Sequence, residues 1–266
     1  MKNKPLIETI KEFVRRARAS KYGWSGDFAS WEQAVQHSSG YDAGNILHTV
    51  KDSILKVRNG QAAYERDSVL FDKVEYSWPL LSGLLWVAAQ NKGDLSVADF
   101  GGSLGSSYFQ NKKFLDKLNS VRWSIIEQGN FVAAGREYLQ DARLQFFYDL
   151  TECIRGQGIP HVLLLSCVLP YLEDPYAQLK ELLSQDIPYV IIDNTYFNYE
   201  PRDRICIQKV PPDIYEATVP CRFLDYARLK TSLETTYETI TEHSNSSCIF
   251  LDGKKIQYRG LLLKRK

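Results

Sequence analysis

Short β-rich runs alternate with helically spaced segments over the middle of the chain. The runs are LSVADF (95–100), VRWSIIE (121–127), LQFFY (144–148), HVLLLS (161–166) and YVIID (189–193). The helical segments lie around 107–118, 130–140, 150–156 and 175–185. Strands that alternate with helices predict a parallel sheet, with right-handed crossovers that bury both of its faces. The continuously apolar runs HVLLLS and YVIID indicate central strands, because such strands are buried on both sides.

The end of the chain changes to strands that follow one another directly. A helix is expected to begin at Asp225, a good N-cap residue, and the strand-like runs YETITEH, SSCIFLD and IQYRGLLLK come after it. Asp252-Gly253 between the last two runs is a hairpin signal, whereas the stretch 194–222 is irregular. The pattern therefore predicts an α/β, Rossmann-like fold, mainly parallel with a C-terminal antiparallel strand.

The first part of the chain predicts helices. Apolar residues have helical spacing in KPLIETIKEFVRRARAS, in DAGNILHTVKDSILKVRNG and from Pro79 to about Gln90, whereas the stretches between them are irregular. Residues 1–21 carry seven basic and two acidic side chains, so the first helix either makes a weak peripheral contact with an anionic membrane or docks on the protein with a solvated face. We divide the chain into a helical N-terminal extension, residues 1–78, and an α/β domain, residues 79–266.

Composition and charge exclude several classes of protein. The 33 basic and 32 acidic side chains leave a net charge of +1, without the basic excess that a nucleic-acid partner requires. The longest apolar stretch, residues 80–89, has about half the length of a membrane span, and the charged first turns are unlike a signal peptide. The five cysteines are scattered and no acidic or histidine cluster is evident, so neither disulfides nor a metal site is expected. We expect a cytoplasmic protein.

The strongest local signal for chemistry is the glycine-rich segment VADFGGSLGSS. Asp99 ends the first predicted strand, and Gly101, Gly102 and Gly105 then form a turn that opens into a helix. Glycine is needed where the backbone bends sharply or a ligand approaches it closely, and a helix N-terminus offers unpaired N–H groups to an anion. A P-loop would need a lysine after Gly105, and the dinucleotide pattern G-x-G-x-x-G fails at Ser103. A purely structural turn is the alternative.

Polar residues also follow the next three strands. Glu127 ends the second predicted strand, where a carboxylate can accept two hydrogen bonds from a ribose diol. Asp149 follows the third strand, where a helix N-cap before TECIR is an equal alternative to a ligand contact, and Ser166 ends the fourth strand. Because the carboxyl ends of parallel strands meet at one edge of a sheet, we expect these residues to share a ligand site with the glycine loop.

The glycine loop resembles motif I of the class I methyltransferases that use S-adenosylmethionine (SAM). Their pattern is D-x-G-x-G-x-G, which Asp99, Gly101 and Gly105 match, with Ser103 at the middle glycine. The strings SGYDAGNILHTV, YERDSVLF, YSWPLLSGLLW, VADFGGSLGSSYFQN, SCVLPYLEDPY and VPPDIYEATVPCRFL together resemble one family of methyltransferases associated with bacterial surface-polysaccharide biosynthesis. This second resemblance covers nearly the whole chain from about residue 39.

The resemblance implies a SAM-dependent methyltransferase domain in residues 79–266, with the extension on the acceptor side. It implies SAM as the cofactor and methyl transfer to a sugar or glycan intermediate. Asp149 would lie near the adenine amino group. The cofactor-binding residues that it implies are Asp99, Gly101, Gly102, Ser103, Gly105, Glu127, Asp149 and Ser166.

The acceptor side has weaker sequence signals. A sugar hydroxyl is a poor nucleophile, so a general base beside it would help the transfer. Asp193 is the candidate because it ends the fifth strand, and a structural carboxylate that caps the next turn is the alternative. Arg66, Tyr196 and Arg204 are candidates for acceptor binding, since tyrosine and arginine suit a sugar or its phosphate carrier; ordinary solvated surface is the alternative for each.

Two other functions are compatible with the same pattern. A methyltransferase-like scaffold without turnover would explain the serine at position 103. A nicotinamide-dependent oxidoreductase would use the same kind of sheet.

Overall fold

The structure is a computed structural model that describes residues 21–39, 43–66, 68–212, 214 and 217–266. Its first elements are β1 (Gly23–Phe28), α1 (Trp31–Gln36), α2 (Ala43–Arg58), β2 (Tyr64–Arg66), β3 (Val69–Phe71) and α3 (Trp78–Gln90). The helices predicted to cover residues 42–60 and to begin near Pro79 are confirmed as α2 and α3. The predicted basic helix, and with it the membrane contact, lies outside the described residues.

Strands and helices alternate through the middle of the chain. In order they are β4 (Asp94–Phe100), α4 (Ser106–Leu115), β5 (Ser120–Ile126), α5 (Gly129–Tyr138), β6 (Leu144–Phe147), α6 (Leu150–Gln157), β7 (Val162–Ser166), α7 (Pro175–Leu183) and β8 (Tyr189–Thr195). A short 3-10 helix, Leu169–Tyr171, follows β7. The side chains of Asp149 and Asp174 accept N–H groups of α6 and α7 at 2.7 and 3.0 Å, which explains where these two helices begin. The predicted alternation is confirmed.

The last elements are β9 (Arg204–Lys209), β10 (Thr218–Phe223), α8 (Tyr226–Glu234), β11 (Tyr237–Leu251) and β12 (Lys254–Arg265). Asp225 caps α8, as predicted. The runs YETITEH and SSCIFLD belong to one strand, β11, whose pairing with β12 shifts between Ser244 and Cys248. Asp252 and Gly253 have φ angles of 50° and 73°, which is the left-handed conformation that a tight hairpin needs, so the predicted turn is confirmed.

Seven strands form one sheet in the order β11-β12-β8-β7-β4-β5-β6. Strands β4 to β8 pair in parallel, and β12 runs antiparallel to both of its neighbours. The chain proceeds from β4 to β5 and β6 on one side and returns to β7 and β8 on the other. The carboxyl ends of β4 and β7 therefore border a crevice of the kind in which open α/β sheets bind ligands. The predicted Rossmann-like sheet with a C-terminal antiparallel strand is confirmed.

Helices cover both faces of this sheet. Ile54, Leu84 and Val132, from α2, α3 and α5, are fully buried in the core on one face. Leu179 and Leu229, from α7 and α8, are buried in the core on the other face. Because successive strand residues point to opposite faces, each central strand contributes to both cores, which explains its continuous apolar character.

A second sheet joins distant parts of the chain. Its three antiparallel strands have the order β1-β9-β10, so a strand from the extension pairs with β9, which in turn pairs with β10, and both of these strands come from the stretch predicted to be irregular. Tyr196, Phe223 and Ile249 are buried together where this sheet meets β11 and β12. The described part of the extension is therefore only partly helical. Over the described residues, no helix has the length and apolarity to cross a membrane.

Candidate functional site

The glycine loop leaves the end of β4 through a sharp bend. Gly101 has a φ angle of 72°, and a Cβ atom built on it would lie 2.4 Å from Cγ2 of Val168. A side chain at this position would therefore be strained in its backbone and would also collide with the segment after β7. The bend requires glycine at position 101 for both reasons.

Ser103 takes the left-handed conformation that glycine would take at the middle of the motif, with a φ angle of 54°. For a residue with a Cβ atom this conformation costs roughly 1–2 kcal/mol. The backbone N–H of Ser103 donates a hydrogen bond to Oε1 of Glu127 at 3.1 Å. The backbone at Ser103 thus fastens the loop to the end of the neighbouring strand.

Glu127 lies beside the loop because β4 and β5 are adjacent parallel strands. Its Oε2 accepts the N–H of Gln128 at 2.8 Å, while Oε1 accepts that of Ser103. Burial raises the pKa of Glu127, and the two backbone N–H groups partly oppose that rise. The carboxylate is therefore fixed in direction and keeps further lone pairs for a ligand.

Asp99 lies beneath the loop, where 1% of its surface is exposed. Its Oδ2 accepts the indole N–H of Trp123 at 3.0 Å. Burial raises the pKa of Asp99 to about 7, the hydrogen bond from Trp123 lowers it, and the nearby charge of Glu127 raises it further. A Cβ atom on Gly102 would come within 2.6 Å of the same carboxyl group. Asp99 therefore supports the loop from below.

A cavity of about 1270 Å³ opens over the carboxyl ends of β4 to β7. Two groups of its described lining residues bear on the chemistry of the cavity. The loop group comes from the glycine loop, the strand ends and the β2–β3 hairpin, and comprises Glu65, Gly101, Ser103, Ser106, Glu127, Asp149 and Ser166. The aromatic group comes from β1, the 3-10 helix, β9 and β12, and comprises Tyr22, Trp24, Tyr171, Gln208, Lys209 and Tyr258.

The cavity thus brings together five of the eight residues expected to bind a cofactor. The other three, Asp99, Gly102 and Gly105, do not line it: Asp99 supports the loop, and Gly105, with a φ angle of 99°, begins α4. Asp149 lines the cavity and also caps α6, so the two alternatives for this residue are compatible.

The aromatic group is held together by hydrogen bonds and ring contacts. The hydroxyl of Tyr171 donates to Oε1 of Gln208 at 2.7 Å, which fixes the direction of the amide. Burial holds the pKa of Tyr171 well above its usual range, so this hydroxyl remains a donor. The indole of Trp24 meets the buried ring of Tyr196 edge-on, with 5.4 Å between ring centroids. This side of the cavity therefore offers rings, a neutral amide and the ammonium group of Lys209.

Asp193, the predicted general base, lies outside the cavity lining. Only 1% of its surface is exposed. Its Oδ1 accepts the hydroxyl of Ser77 at 3.3 Å and lies 3.3 Å from Nε2 of His243, and its Oδ2 accepts the amide of Asn194 at 2.9 Å. This carboxylate links β8 to β11 and to the start of α3.

The three predicted acceptor residues also lie outside the cavity lining. Arg66 is half-exposed and pairs with Glu75 at 3.5 Å. Tyr196 is fully buried, and its hydroxyl accepts the indole N–H of Trp24 at 3.1 Å. Arg204 pairs with Asp252 and donates to the carbonyl of Gly26 at 2.8 Å, so it fastens β9 to β1 and to the last hairpin. All three have structural partners instead.

Several cavity residues are not among the predicted site residues, above all Glu65. Glu65 and Arg66 are neighbours in β2, and successive strand residues point to opposite sides. Strand geometry therefore indicates that only one of the two lines the cavity, but it does not show which. Gln208 and Trp24 gave no such signal because they reach the site through strand pairing over a long chain distance. Within the described ranges, no group of three or more metal-ligating side chains is present.

No protein-family model matches the chain, and no curated protein matches it. Several solved methyltransferases are similar in structure. A SAM-dependent methyltransferase from Methanosarcina mazei has a TM-score of 0.49 and 10% identity, over 71% of this chain and 97% of that one. The 1,6-didemethyltoxoflavin-N1-methyltransferase of Burkholderia thailandensis, with S-adenosylhomocysteine (SAH) bound, has a TM-score of 0.46 and 10% identity, over 91% and 93%.

A further similar structure is the magnesium protoporphyrin IX methyltransferase of Synechocystis PCC 6803 with bound SAM. Its TM-score is 0.45 at 14% identity, over 71% of this chain and 79% of that one. The assignment of the fold rests on the sheet order of the chain itself.

Proposed function

We propose that this protein is a SAM-dependent methyltransferase. One observation carries the proposal: Gly101, Ser103, Glu127, Asp149 and Ser166, which lie apart in sequence, line one cavity at the carboxyl ends of the strands. Within it, the loop and Glu127 are joined by a direct hydrogen bond. This is the arrangement in which a bent loop can meet one end of a nucleoside ligand while a carboxylate binds its ribose.

The residues present fit SAM in shape and charge. Gly101 borders the cavity, and the side chain of Val168, which also lines it, packs against the bend. Glu127 can accept both hydroxyls of a ribose diol, and Asp149 would lie near the adenine amino group. Carboxylates from Glu65, Glu127, Asp149 and Glu181 outnumber the ammonium group of Lys209 in the described lining, a charge pattern that suits a cationic ligand. The volume of about 1270 Å³ leaves room for an acceptor beside the cofactor.

The protein's own contribution to the reaction would be positioning. SAM supplies a methyl group that is already activated by its sulfonium centre. The N–H groups of Ser103 and Gln128 hold Glu127, and Tyr171 holds the amide of Gln208, so both sides of the cavity are ordered in advance. Aligned binding and exclusion of water can provide most of the acceleration for such a transfer. Asp193 has no part in this scheme because it lies outside the cavity.

For the acceptor, we propose a hydroxyl of a sugar or glycan intermediate of surface-polysaccharide biosynthesis. The resemblance in sequence supports this class, as do the rings of Trp24 and Tyr258 beside the amide of Gln208. Residues 1–78 would form the acceptor-side extension of a methyltransferase domain at 79–266, since the extension contributes Trp24 and Glu65 to the cavity. A cytoplasmic location is part of the same proposal.

Calorimetric titration with SAM, SAH and NAD tests the cofactor assignment. We expect SAM and SAH to bind in the micromolar range and NAD to give no heat. Glu127→Ala should weaken binding of both by about 100-fold, because it removes charge-assisted hydrogen bonds to the ribose. Glu137→Ala, which removes an exposed carboxylate on α5, is the control and should bind normally.

Transfer of labelled methyl groups from SAM to nucleotide sugars and glycan intermediates tests the reaction. Labelled product supports the enzyme. Tight SAM binding with no product from any acceptor would favour the scaffold instead, and binding of NAD without SAM would favour the oxidoreductase.

A further inference from the structure

Glu65 is a buried carboxylate that comes from outside the α/β domain. It lies in β2 of the short hairpin β2–β3, and 2% of its surface is exposed, yet it lines the cavity. Its Oε2 accepts the N–H of Ser68 at 3.1 Å within the same hairpin. Its Oε1 accepts the hydroxyl of Ser106, the first residue of α4.

The contact with Ser106 fixes which part of the cavity Glu65 reaches. Ser106 follows directly on the glycine loop, so the Glu65 carboxylate lies at the end of the loop where α4 begins. Glu127 contacts the same loop at Ser103, on the side of β5. One buried carboxylate, Glu65, and one partly exposed carboxylate, Glu127, therefore flank one loop of five residues, 101–105.

The two carboxylates match different parts of SAM. Glu127 ends β5, the position that suits the ribose diol. Glu65 lies at the α4 end of the same loop, and the proposed function places the amino-acid portion of the cofactor against that loop. That portion carries a primary ammonium group, which can donate a charge-assisted hydrogen bond to the Glu65 carboxylate in addition to those from Ser68 and Ser106.

We propose that Glu65 is a cofactor-binding residue, supplied by the N-terminal extension, that receives the α-ammonium group of the methionine portion of SAM. This inference rests on the proposed function. It makes the cofactor site incomplete without the extension, although the strand ends supply the rest of it.

A contact between Glu65 and the cofactor would also help to hold the β2–β3 hairpin in place. A two-stranded hairpin is marginally stable alone, so this one depends on its contacts with the rest of the protein. Those contacts include Glu65 to Ser106 on α4 and the hydroxyl of Ser53, on α2, to the carbonyl of Ser68 at 2.8 Å. A ligand ammonium group held by Glu65 adds another contact, and it should reduce the opening of residues 64–71.

Binding of two ligands to three variants tests the assignment. SAH carries the ammonium group, and 5′-methylthioadenosine has the same nucleoside and thioether without it. Glu65→Gln should raise the dissociation constant of SAH by about 10- to 100-fold and leave that of 5′-methylthioadenosine within about twofold of wild type. Glu75→Gln, which removes an exposed carboxylate of the neighbouring segment, should alter neither. Glu127→Gln should weaken both ligands.

Either of two results would overturn the inference: Glu65→Gln binds SAH as wild type does, or it loses both ligands to the same degree, which would indicate a structural role. If the wild type binds neither ligand, the proposed function itself fails, and the two failures are therefore distinguishable.

Hydrogen exchange on the wild type gives a second readout that needs no variant. We expect SAH to slow exchange in residues 64–71 more than 5′-methylthioadenosine does, at saturating concentrations of each. Equal protection by the two ligands, or none by either, contradicts a role for Glu65 at the ammonium group.

Discussion

The loop group and the aromatic group line the same cavity but are held in place differently. Most of the loop group stands at the ends of consecutive parallel strands, and backbone N–H groups fix its central carboxylate, Glu127. The aromatic group is assembled by strand pairing across the chain, where Trp24 of β1 faces Gln208 of β9. The loop group is therefore determined locally by each strand end, whereas the aromatic group exists only once distant segments have met. A locally determined group suits a cofactor that many enzymes share, whereas a group assembled from distant segments suits a particular acceptor.

The largest effect should follow from filling the bend of the loop. Gly101→Val places a branched side chain where even a Cβ atom would lie 2.4 Å from Val168, so we expect SAM affinity to fall by about 1000-fold or more. Gly60 has nearly the same φ angle, 73°, with open space around it. Gly60→Val thus shares the backbone strain, and calorimetry should show normal SAM binding for it. Equal loss in both variants would mean that strain alone, and not the shape of the site, is responsible.

A smaller effect should appear in the pH dependence of stability, through the carboxyl group beneath the loop. Burial raises the pKa of Asp99 from 3.8 to about 7, so the folded state favours its protonated form. The contribution of protonated Asp99 to the free energy of unfolding is therefore fully present below about pH 4, and it is lost as the pH rises through about 7. Asp99→Asn stays neutral and can still accept the indole N–H of Trp123.

The free energy of unfolding of wild type, measured against Asp99→Asn, should therefore fall by a few kcal/mol between pH 4 and pH 7.5, because a pKa change of one corresponds to about 1.4 kcal/mol. Denaturant unfolding at several pH values measures the difference. Parallel profiles for the two proteins would contradict the buried position of Asp99.

The smallest effect should distinguish the role of the aromatic group from that of the loop group. Gln208→Leu removes the amide that Tyr171 holds, and we expect the KM of the methylated acceptor to rise about 10-fold while SAM affinity stays unchanged. Arg66→Ala removes an exposed side chain that pairs with Glu75 outside the cavity, so both parameters should match wild type. Steady-state kinetics with labelled SAM measures these values. If the KM rose in Arg66→Ala and not in Gln208→Leu, Arg66 would be an acceptor-binding residue, as the sequence predicts.

The sequence by itself determined the alternating strands and helices, the turn at Asp252-Gly253 and the strand ends that carry Gly101 and Glu127. These features depend on local periodicity, on helix caps and on the rule that parallel strands end at one edge, all of which are visible in consecutive residues. Only the tertiary structure decided that Glu65 and not Arg66 lines the cavity, that Asp193 is buried against Ser77 and His243, and that β1 pairs with β9. These outcomes depend on which distant segments pack together, and no local pattern in one chain specifies that choice.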